Sequence, residues 1–191
     1  MAGTFDANQL RKGTIYKKDG NTLVVLDYKH IKMGRTPATI RVKVKNIVSG
    51  SITEITYGSS DKVEDADVAK RSAQFLYSDG SKLYFMDNED YSQFELPTED
   101  LGGQEGFLKE GERVVTMYLD GRPISVELPA SVELEVTLAS DAVAGDSSNN
   151  PTKKVKLETG IEINVPLFIK QGEKIKVNTE TGEYVGRASG S

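Results

Sequence analysis

Polar and apolar residues alternate over short stretches along most of this chain. Residues 41–47 (RVKVKNI) and 132–138 (VELEVTL) place apolar side chains at nearly every second position. This period of two is typical of β-strands with one buried and one solvated face. Asp-Gly pairs at 19–20, 79–80 and 120–121 separate such stretches, and this pair favours the tight turn of a β-hairpin. The pattern therefore predicts an all-β protein built from short hairpins.

The spacing of the predicted strands divides the 191 residues into three small β-barrel domains. They span residues 1–65, 66–129 and 130–191, and each has about 60 residues, near the lower limit for independent folding. The first has roughly five short strands, and residues 62–68 form a polar connection to the second. The second and third each fit a five-stranded barrel of the OB type. Residues 107–111 predict one helical turn that ends at a glycine.

A basic hairpin is the most distinctive feature of the first domain. An apolar run at residues 22–28 precedes a loop at residues 30–38, and an alternating strand follows the loop. Gly34 allows the positive φ that a tight tip needs, and Pro37 restricts the backbone beside it. This places Arg35 at the tip of a two-stranded arm. The alternative is an ordinary surface hairpin, in which an exposed Arg needs no function.

The net charge of −5 is unevenly distributed along the chain. Residues 1–64 contain 11 Lys/Arg and 6 Asp/Glu, a net +5; residues 65–131 contain 6 and 14, a net −8; residues 132–191 contain 7 and 9, a net −2. A basic first third on an acidic body suggests local contact with a polyanion. The alternative is a solvated face, since many proteins carry a charge of this size. The acidic middle is unlike a protein that binds free duplexes.

The composition argues against several classes of protein. The chain has no Cys, which excludes disulfides and Cys-based metal sites, and its one His, His30, makes a zinc site or a Ser-His-Asp triad unexpected. No nucleotide-binding, serine hydrolase or metalloprotease motif is present. Glu99 and Asp100 are expected to lie on a solvated acidic face. We therefore expect no catalytic residues, no metal and no cofactor.

The sequence also gives no sign of a membrane protein. No apolar run approaches the roughly 20 residues that span a bilayer. Residues 1–6 lack the basic and apolar regions that begin a signal peptide. We expect a cytoplasmic protein that does not bind membranes.

Aromatic residues of the second domain have two interpretations. They could form a platform on which nucleic-acid bases stack, or they could be barrel core, as is usual on alternating strands. The residues are Tyr77, Tyr84, Phe85, Tyr91 and Phe94.

The last third carries a more specific signal. Residues 160–179 (GIEINVPLFIKQGEKIKVNT) and 182–187 (GEYVGR) resemble the C-terminal signature of bacterial elongation factor P. The family's Lys-x-Ala element corresponds to Lys153-Lys154-Val155, in which Val155 stands in place of the Ala. Further similar segments, in family order, are GRPISV at 121–126, VEL at 132–134, FLY at 75–77 with Asp79-Gly80, and FMDNE at 85–89. The chain is thus identified as a member of this translation factor family over its whole length.

The resemblance implies a fold and a role. Its members have a KOW/SH3-like N-terminal barrel and two OB barrels, arranged in an L that is similar to a tRNA. They bind the 70S ribosome as monomers, between the peptidyl-tRNA and exit sites. There they contact rRNA and the P-site tRNA, and they relieve stalling at consecutive prolines. The factor only positions the peptidyl-tRNA, and the ribosome itself catalyses peptide-bond formation.

The resemblance also implies site residues. Arg35 would approach the CCA end of the peptidyl-tRNA, with Lys29, Lys32, Gly34 and Arg41 in support. Gly145, Asp146 and Ser147 match a loop that faces the small subunit near the exit-site codon. Tyr184 and Arg187 match C-terminal positions that face RNA, although Tyr184 can instead be a packing residue at a strand end.

The tip departs from the commonest family pattern, Lys-Pro-Gly-Lys-Gly. Here it is KMGRT at residues 32–36. Arg35 cannot take the ε-amine modifications that many members carry on the tip Lys. Some members with a tip Arg carry rhamnose on it, which would require an Arg-modifying glycosyltransferase. An unmodified Arg35 is the alternative, because its fork of donors suits phosphate oxygens.

Two other functions stay open at this point. One is a paralogue within the family that prefers different arrest motifs. The other is a general single-stranded RNA-binding OB protein, which would bind RNA without the ribosome and with a steep salt dependence.

Overall fold

The computed structural model describes residues 3–140 and 151–189, and they are almost entirely β-strand. Sixteen strands in the described part of the chain form three antiparallel sheets. The chain divides into two compact units, one of Met1–Gly103 with Arg113–Glu127 and one of Gln104–Glu112 with Leu128–Ser191. The first two sheets belong to the first unit and the third sheet belongs to the second. No helix in the described ranges is both long and apolar enough to cross a membrane.

The first sheet has six strands in the order β1-β6-β2-β3-β4-β5. A 3-10 helix, Ala7–Gln9, follows β1. The strands are β1 Thr4–Asp6, β2 Ile15–Lys18, β3 Asn21–Ile31, β4 Thr39–Asn46, β5 Ile52–Gly58 and β6 Lys62–Asp65. The expectation that residues 62–68 are only a polar connection is therefore wrong for β6, which pairs with both β1 and β2.

β3 is buried on both faces near its start. Leu23 and Val25 point into the core of the first sheet. Val24 and Leu26 point the other way, into a second apolar cluster that includes Met117 of the second sheet. This double burial explains why residues 22–28 form an apolar run instead of alternating. A β-bulge between Val25 and Asp27 marks the point where the strand leaves the core.

The second sheet has five strands in the order β11-β10-β7-β8-β9. They are β7 Ala69–Ser78, β8 Lys82–Asp87, β9 Gln93–Pro97, β10 Arg113–Leu119 and β11 Arg122–Glu127. Two 3-10 helices, Thr98–Leu101 and Gln104–Phe107, follow β9. The predicted helical turn at residues 107–111 is thus displaced towards the N-terminus, and Gly111, with φ +86°, lies in the turn before β10.

The aromatic residues of the second sheet divide between its two faces. Phe85 is fully buried, and Phe94 stacks on it with ring centroids 5.4 Å apart. Tyr77 and Tyr84 stack on each other outside the core at 4.4 Å, and Tyr77 is 54% exposed. The core interpretation is therefore correct for the two phenylalanines, while the stacked tyrosines and Tyr91 are on the surface.

The third sheet has five strands in the order β14-β13-β12-β15-β16. They are β12 Ser131–Ala139, β13 Thr152–Leu157, β14 Glu162–Pro166, β15 Lys174–Asn178 and β16 Tyr184–Arg187. Alternate residues of these strands form a core that includes Leu134, Leu157, Val165, Ile175 and Val177. Residues 104–112 belong to this unit, and the amide of Gln104 donates to the carbonyl oxygen of Thr179 at 3.1 Å.

The three Asp-Gly pairs all lie in hairpin turns, but not of one type. Asp19 and Asp120 have φ +50°, and the glycines after them have φ +78° and +74°. Positive φ at both central positions defines the type I′ turn that matches the twist of a hairpin. Asp79 instead holds a longer turn, and its carboxylate accepts hydrogen bonds from the backbone amides of Ser81 and Lys82.

Candidate functional site

The ends of β3 and β4 extend as a two-stranded arm, which we define as residues 29–41. Lys29 pairs with Arg41 and Ile31 with Thr39, so ladder pairing continues almost to the tip. β5 supports the other edge of β4, with Arg41 paired to Thr56. The root of the arm thus lies among three neighbouring strands of the first sheet, and only residues 32–38 of the arm lie outside the strands.

A β-turn closes the arm. The amide of Thr36 donates to the carbonyl oxygen of Met33 at 3.1 Å, and the hydroxyl of Thr36 also donates to that oxygen. Gly34 has φ +54°, in the left-handed region that glycine adopts at little cost. Arg35 is the next residue, at the third position of the turn. Residues 32–37 are all exposed, so the sequence placed Arg35 at the tip correctly.

The arm is uniformly basic. Residues 29–41 contain Lys29, Lys32, Arg35 and Arg41 and no Asp or Glu. Within residues 3–140 and 151–189, none of these four side chains forms an ion pair or a side-chain hydrogen bond. Because Lys29 and Arg41 are directly opposite in an antiparallel pair, their side chains share one face. Two unneutralised cations side by side suit an anionic partner such as a phosphate backbone.

Aromatic packing anchors the root of the arm. Tyr28 is half-buried against the first core. The ring of His30 meets the ring of Tyr28 edge-on at 5.5 Å, and the guanidinium of Arg11 lies 5.2 Å from the centre of the Tyr28 ring. His30 therefore has a packing role on the arm.

The C-terminal candidates lie in the second unit, on β16. Tyr184 is half-buried and packs against the third core. Arg187 is exposed, its Nε lies 3.3 Å from Oε2 of Glu173, and its guanidinium covers the ring of Phe168 at 5.0 Å. The remaining candidates, Gly145, Asp146 and Ser147, lie outside the described residues.

The sequence missed an ion pair between β4 of the first sheet and the 3-10 helix that follows β9. Nζ of Lys45 donates to the two carboxylate oxygens of Asp100 at 2.9 and 3.2 Å. The side chain of Asp100 is only 11% exposed. The expectation of a solvated acidic pair is therefore wrong for Asp100, although Glu99 is exposed. No local signal could have identified Lys45, which is 55 residues away in sequence.

The described residues contain no group of three or more His, Asp or Glu side chains that could hold a metal ion. The geometry that the sequence predicted best is the basic arm, whose exposed positive charges suit an anionic partner.

Comparison with known proteins identifies the three sheets with three family models. Residues 6–63 match the elongation factor P KOW-like domain, residues 68–126 the elongation factor P OB domain, and residues 132–187 the elongation factor P C-terminal domain. The predicted fold class, a KOW-like barrel followed by OB barrels, is confirmed.

Curated relatives match along nearly the whole chain. Elongation factor P of Nocardioides sp. is 44% identical over 183 residues, which is 96% of this chain and 98% of the relative. Elongation factor P of Aquifex aeolicus is 41% identical over 187 residues, 98% of this chain and 97% of the relative.

A solved structure, eukaryotic translation initiation factor 5A from Methanococcus jannaschii, is 27% identical with a TM-score of 0.35. The match covers 65% of this chain and 96% of the chain of the solved structure. The curated relatives and the three consecutive family matches decide the assignment, and this family consists of translation factors and not of enzymes. The chain belongs to the elongation factor P family.

Proposed function

We propose that this translation elongation factor binds the ribosome between the peptidyl-tRNA and exit sites and stimulates peptide-bond formation at consecutive prolines. The observation that carries the proposal is the basic arm, which presents Arg35 on an exposed turn without an ion pair or hydrogen bond to the rest of the described chain. A planar guanidinium with five donors can hold the phosphate oxygens of a tRNA end in one orientation.

The mechanism is positioning. Orienting the two reacting groups lowers the activation barrier without a protein acid or base. At its largest this effect is worth roughly 7–11 kcal/mol. In this account Arg35 contacts the CCA end of the peptidyl-tRNA, and Lys29, Lys32 and Arg41 contact the backbone behind it. Gly34 provides the turn that exposes Arg35.

The other parts of the chain have supporting roles in this proposal. Residues 1–65 carry the arm, residues 66–129 form the central OB domain, and residues 130–191 reach towards the small subunit. There Gly145, Asp146 and Ser147 face the exit-site codon, and Arg187 and the exposed edge of Tyr184 face RNA. The protein acts as a monomer in the cytoplasm.

The chemical state of Arg35 is part of the proposal. Its exposed side chain is accessible to an Arg-modifying glycosyltransferase. A peptide-level mass of residues 33–36 from the native cell separates two versions of the mechanism. An added deoxyhexose means that a rhamnose extends the tip, whereas an unmodified mass means that the guanidinium itself makes the contact.

The test is a reporter whose translation requires a Pro-Pro-Pro motif, in cells that lack the factor. We expect the wild-type protein to restore the reporter and Arg35→Ala to lose most of this rescue. Arg122→Ala is a matched control, because Arg122 is an exposed arginine of the second sheet without an ion pair in the described chain. Full rescue by Arg35→Ala would remove Arg35 from the mechanism.

Rescue of other motifs but not of Pro-Pro-Pro would instead indicate a paralogue with a different arrest-motif preference. Tight, salt-sensitive binding to free single-stranded RNA, equal to ribosome binding, would favour a general RNA-binding protein.

A further inference from the structure

The segment that follows β9 contacts the first sheet at the point where the arm begins. The bulge between Val25 and Asp27 is where β3 leaves the core, and Leu26 is the extra residue of the bulge. The 3-10 helix Thr98–Leu101 ends beside this bulge, and Gly102 follows it with φ +58° and ψ +36°. The two elements are therefore in direct backbone contact.

This backbone contact requires glycine. A Cβ on Gly102 would lie 2.1 Å from the carbonyl oxygen of Leu26, far inside van der Waals contact with a backbone atom. The next glycine, Gly103, also has a positive φ, +88°, but a Cβ there would meet no atom within 4 Å. Gly102 thus packs directly against the bulge of β3, whereas the Cβ position of Gly103 faces open space.

Charged groups fix the same contact on both sides. Nζ of Lys12 donates to the carbonyl oxygen of Gly102 at 2.9 Å and lies 3.4 Å from Oδ1 of Asp27, the residue after the bulge. Lys45 of β4 pairs with Asp100 inside the 3-10 helix. Both strands that continue into the arm are therefore tied to residues 98–102, the 3-10 helix after β9 and the glycine that ends it.

We propose that residues 98–102 are a positioning device, which fixes the direction in which the basic arm leaves the first barrel. This role rests on the proposed function, because a fixed direction matters only if the tip must meet a defined target. At the bulge the ladder between β3 and β4 is interrupted, so within its own barrel only the pairing of β4 with β5 continues unbroken past this point, and the arm could pivot there. Contact with Gly102 and the Lys45–Asp100 pair prevents that movement.

The direct test measures the direction of the arm without the ribosome. Because the chain has no Cys, spin labels on Thr36→Cys and Gln93→Cys would be the only labels. Thr36 is at the tip and Gln93 is exposed on β9. We expect a narrow distance distribution in the otherwise unchanged protein and in Gly103→Ala, and a shifted or broadened one in Gly102→Ala. Equal distributions in all three proteins would overturn the proposal.

The functional test uses purified ribosomes paused at consecutive prolines. In Gly102→Ala we expect a loss of about tenfold or more in the maximal rate of peptide-bond formation, since a misplacement of about 1 Å can cost about 100-fold. Affinity for the ribosome should change much less, because the basic side chains of the arm are intact. Gly103→Ala should retain the wild-type rate, and an equal loss in both variants would overturn the proposal.

A charge exchange covers the case in which Gly102→Ala fails to fold. Lys45→Asp alone should lower the maximal rate, and adding Asp100→Lys should restore it. No loss in the single variant, or no recovery in the double variant, would overturn the proposal. If the wild-type protein itself gives no acceleration, the proposed function fails, whereas the spin-label distances still decide whether residues 98–102 direct the arm.

Discussion

The hydroxyl of Tyr118 donates a hydrogen bond of 2.8 Å to Oδ2 of Asp87 inside the second barrel. Asp87 is fully buried, and its Oδ1 accepts from the amide of Glu89 at 2.7 Å. Arg71 lies 3.7 Å from the carboxylate and covers the ring of Tyr118 at 4.9 Å. A buried carboxylate is therefore held by donors from β10 and from the turn after β8 and by the nearby charge of Arg71 on β7, and it fixes that turn.

This network predicts a pH-dependent stability. Burial by itself would raise the pKa of Asp87, but the Glu89 amide, the Tyr118 hydroxyl, the Asp90 amide and the nearby Arg71 together lower it below its usual value. A lowered pKa stabilises the fold above the ordinary Asp value of about 3.9, and this contribution is lost as the pH falls through the lowered pKa. Tyr118→Phe should reduce the free energy of unfolding by about 1–3 kcal/mol at pH 7.

Urea unfolding at neutral pH and at a pH below the lowered pKa of Asp87 would measure the effect. The difference in the free energy of unfolding between the wild type and Tyr118→Phe should shrink at the lower pH, because a protonated Asp87 accepts a weaker hydrogen bond from Tyr118 than the carboxylate does. An equal difference at both values would contradict a coupling between the Tyr118 hydroxyl and the ionised carboxylate of Asp87.

The close approach of Gly13 to β11 predicts a second, purely steric effect. Gly13 has φ +85°, and a Cβ there would lie 2.8 Å from the carbonyl oxygen of Val126. Gly20 has a similar φ of +78° with open space around it. A left-handed backbone costs an L-residue roughly 1–2 kcal/mol, so Gly20→Ala should lose about that much stability and Gly13→Ala clearly more. Denaturant unfolding of both variants measures the comparison, and equal losses would contradict the steric account.

The cross-strand pair of Lys29 and Arg41 predicts opposite changes in binding and stability. Like charges directly opposite on a sheet are destabilising by roughly 0.2–1 kcal/mol. Lys29→Gln or Arg41→Gln should therefore leave the melting temperature unchanged or slightly higher. Each should weaken ribosome binding and reduce its salt dependence, because fewer counterions are released from RNA.

Binding at several salt concentrations, together with thermal melting, checks this prediction. Lys70→Gln is a suitable control, since Lys70 is an exposed lysine at the start of β7, in the acidic second sheet. An unchanged salt slope in both arm variants would show that these two cations do not contact RNA.

Most strands and turns of the fold could be predicted because short sequence patterns specify them. The Asp19-Gly20 and Asp120-Gly121 pairs specify type I′ turns, since both positions require positive φ. Gly34 and Pro37 likewise predicted a turn that exposes Arg35. In each case the information lies within a few residues, where it can be recognised without the partner strand.

The features that the sequence did not predict depend on distant partners. β6 has only one buried residue, Val63, so it carries no alternating signal, and its pairing with β1 and β2 defines it. The acidic stretch around Asp100 resembled a solvated face until Lys45 was placed against it. The fit of Gly102 against Leu26 is equally invisible, because nothing in the sequence distinguishes Gly102 from Gly103.

The central claim is that Arg35 at the tip of the basic arm accelerates peptide-bond formation. The most direct measurement is the single-turnover rate of Pro-Pro bond formation on purified ribosomes, with saturating wild-type factor, with Arg35→Ala and without factor. The account predicts that the wild type accelerates the reaction and that Arg35→Ala loses most of the acceleration while still binding the ribosome. Equal acceleration by both proteins would contradict it.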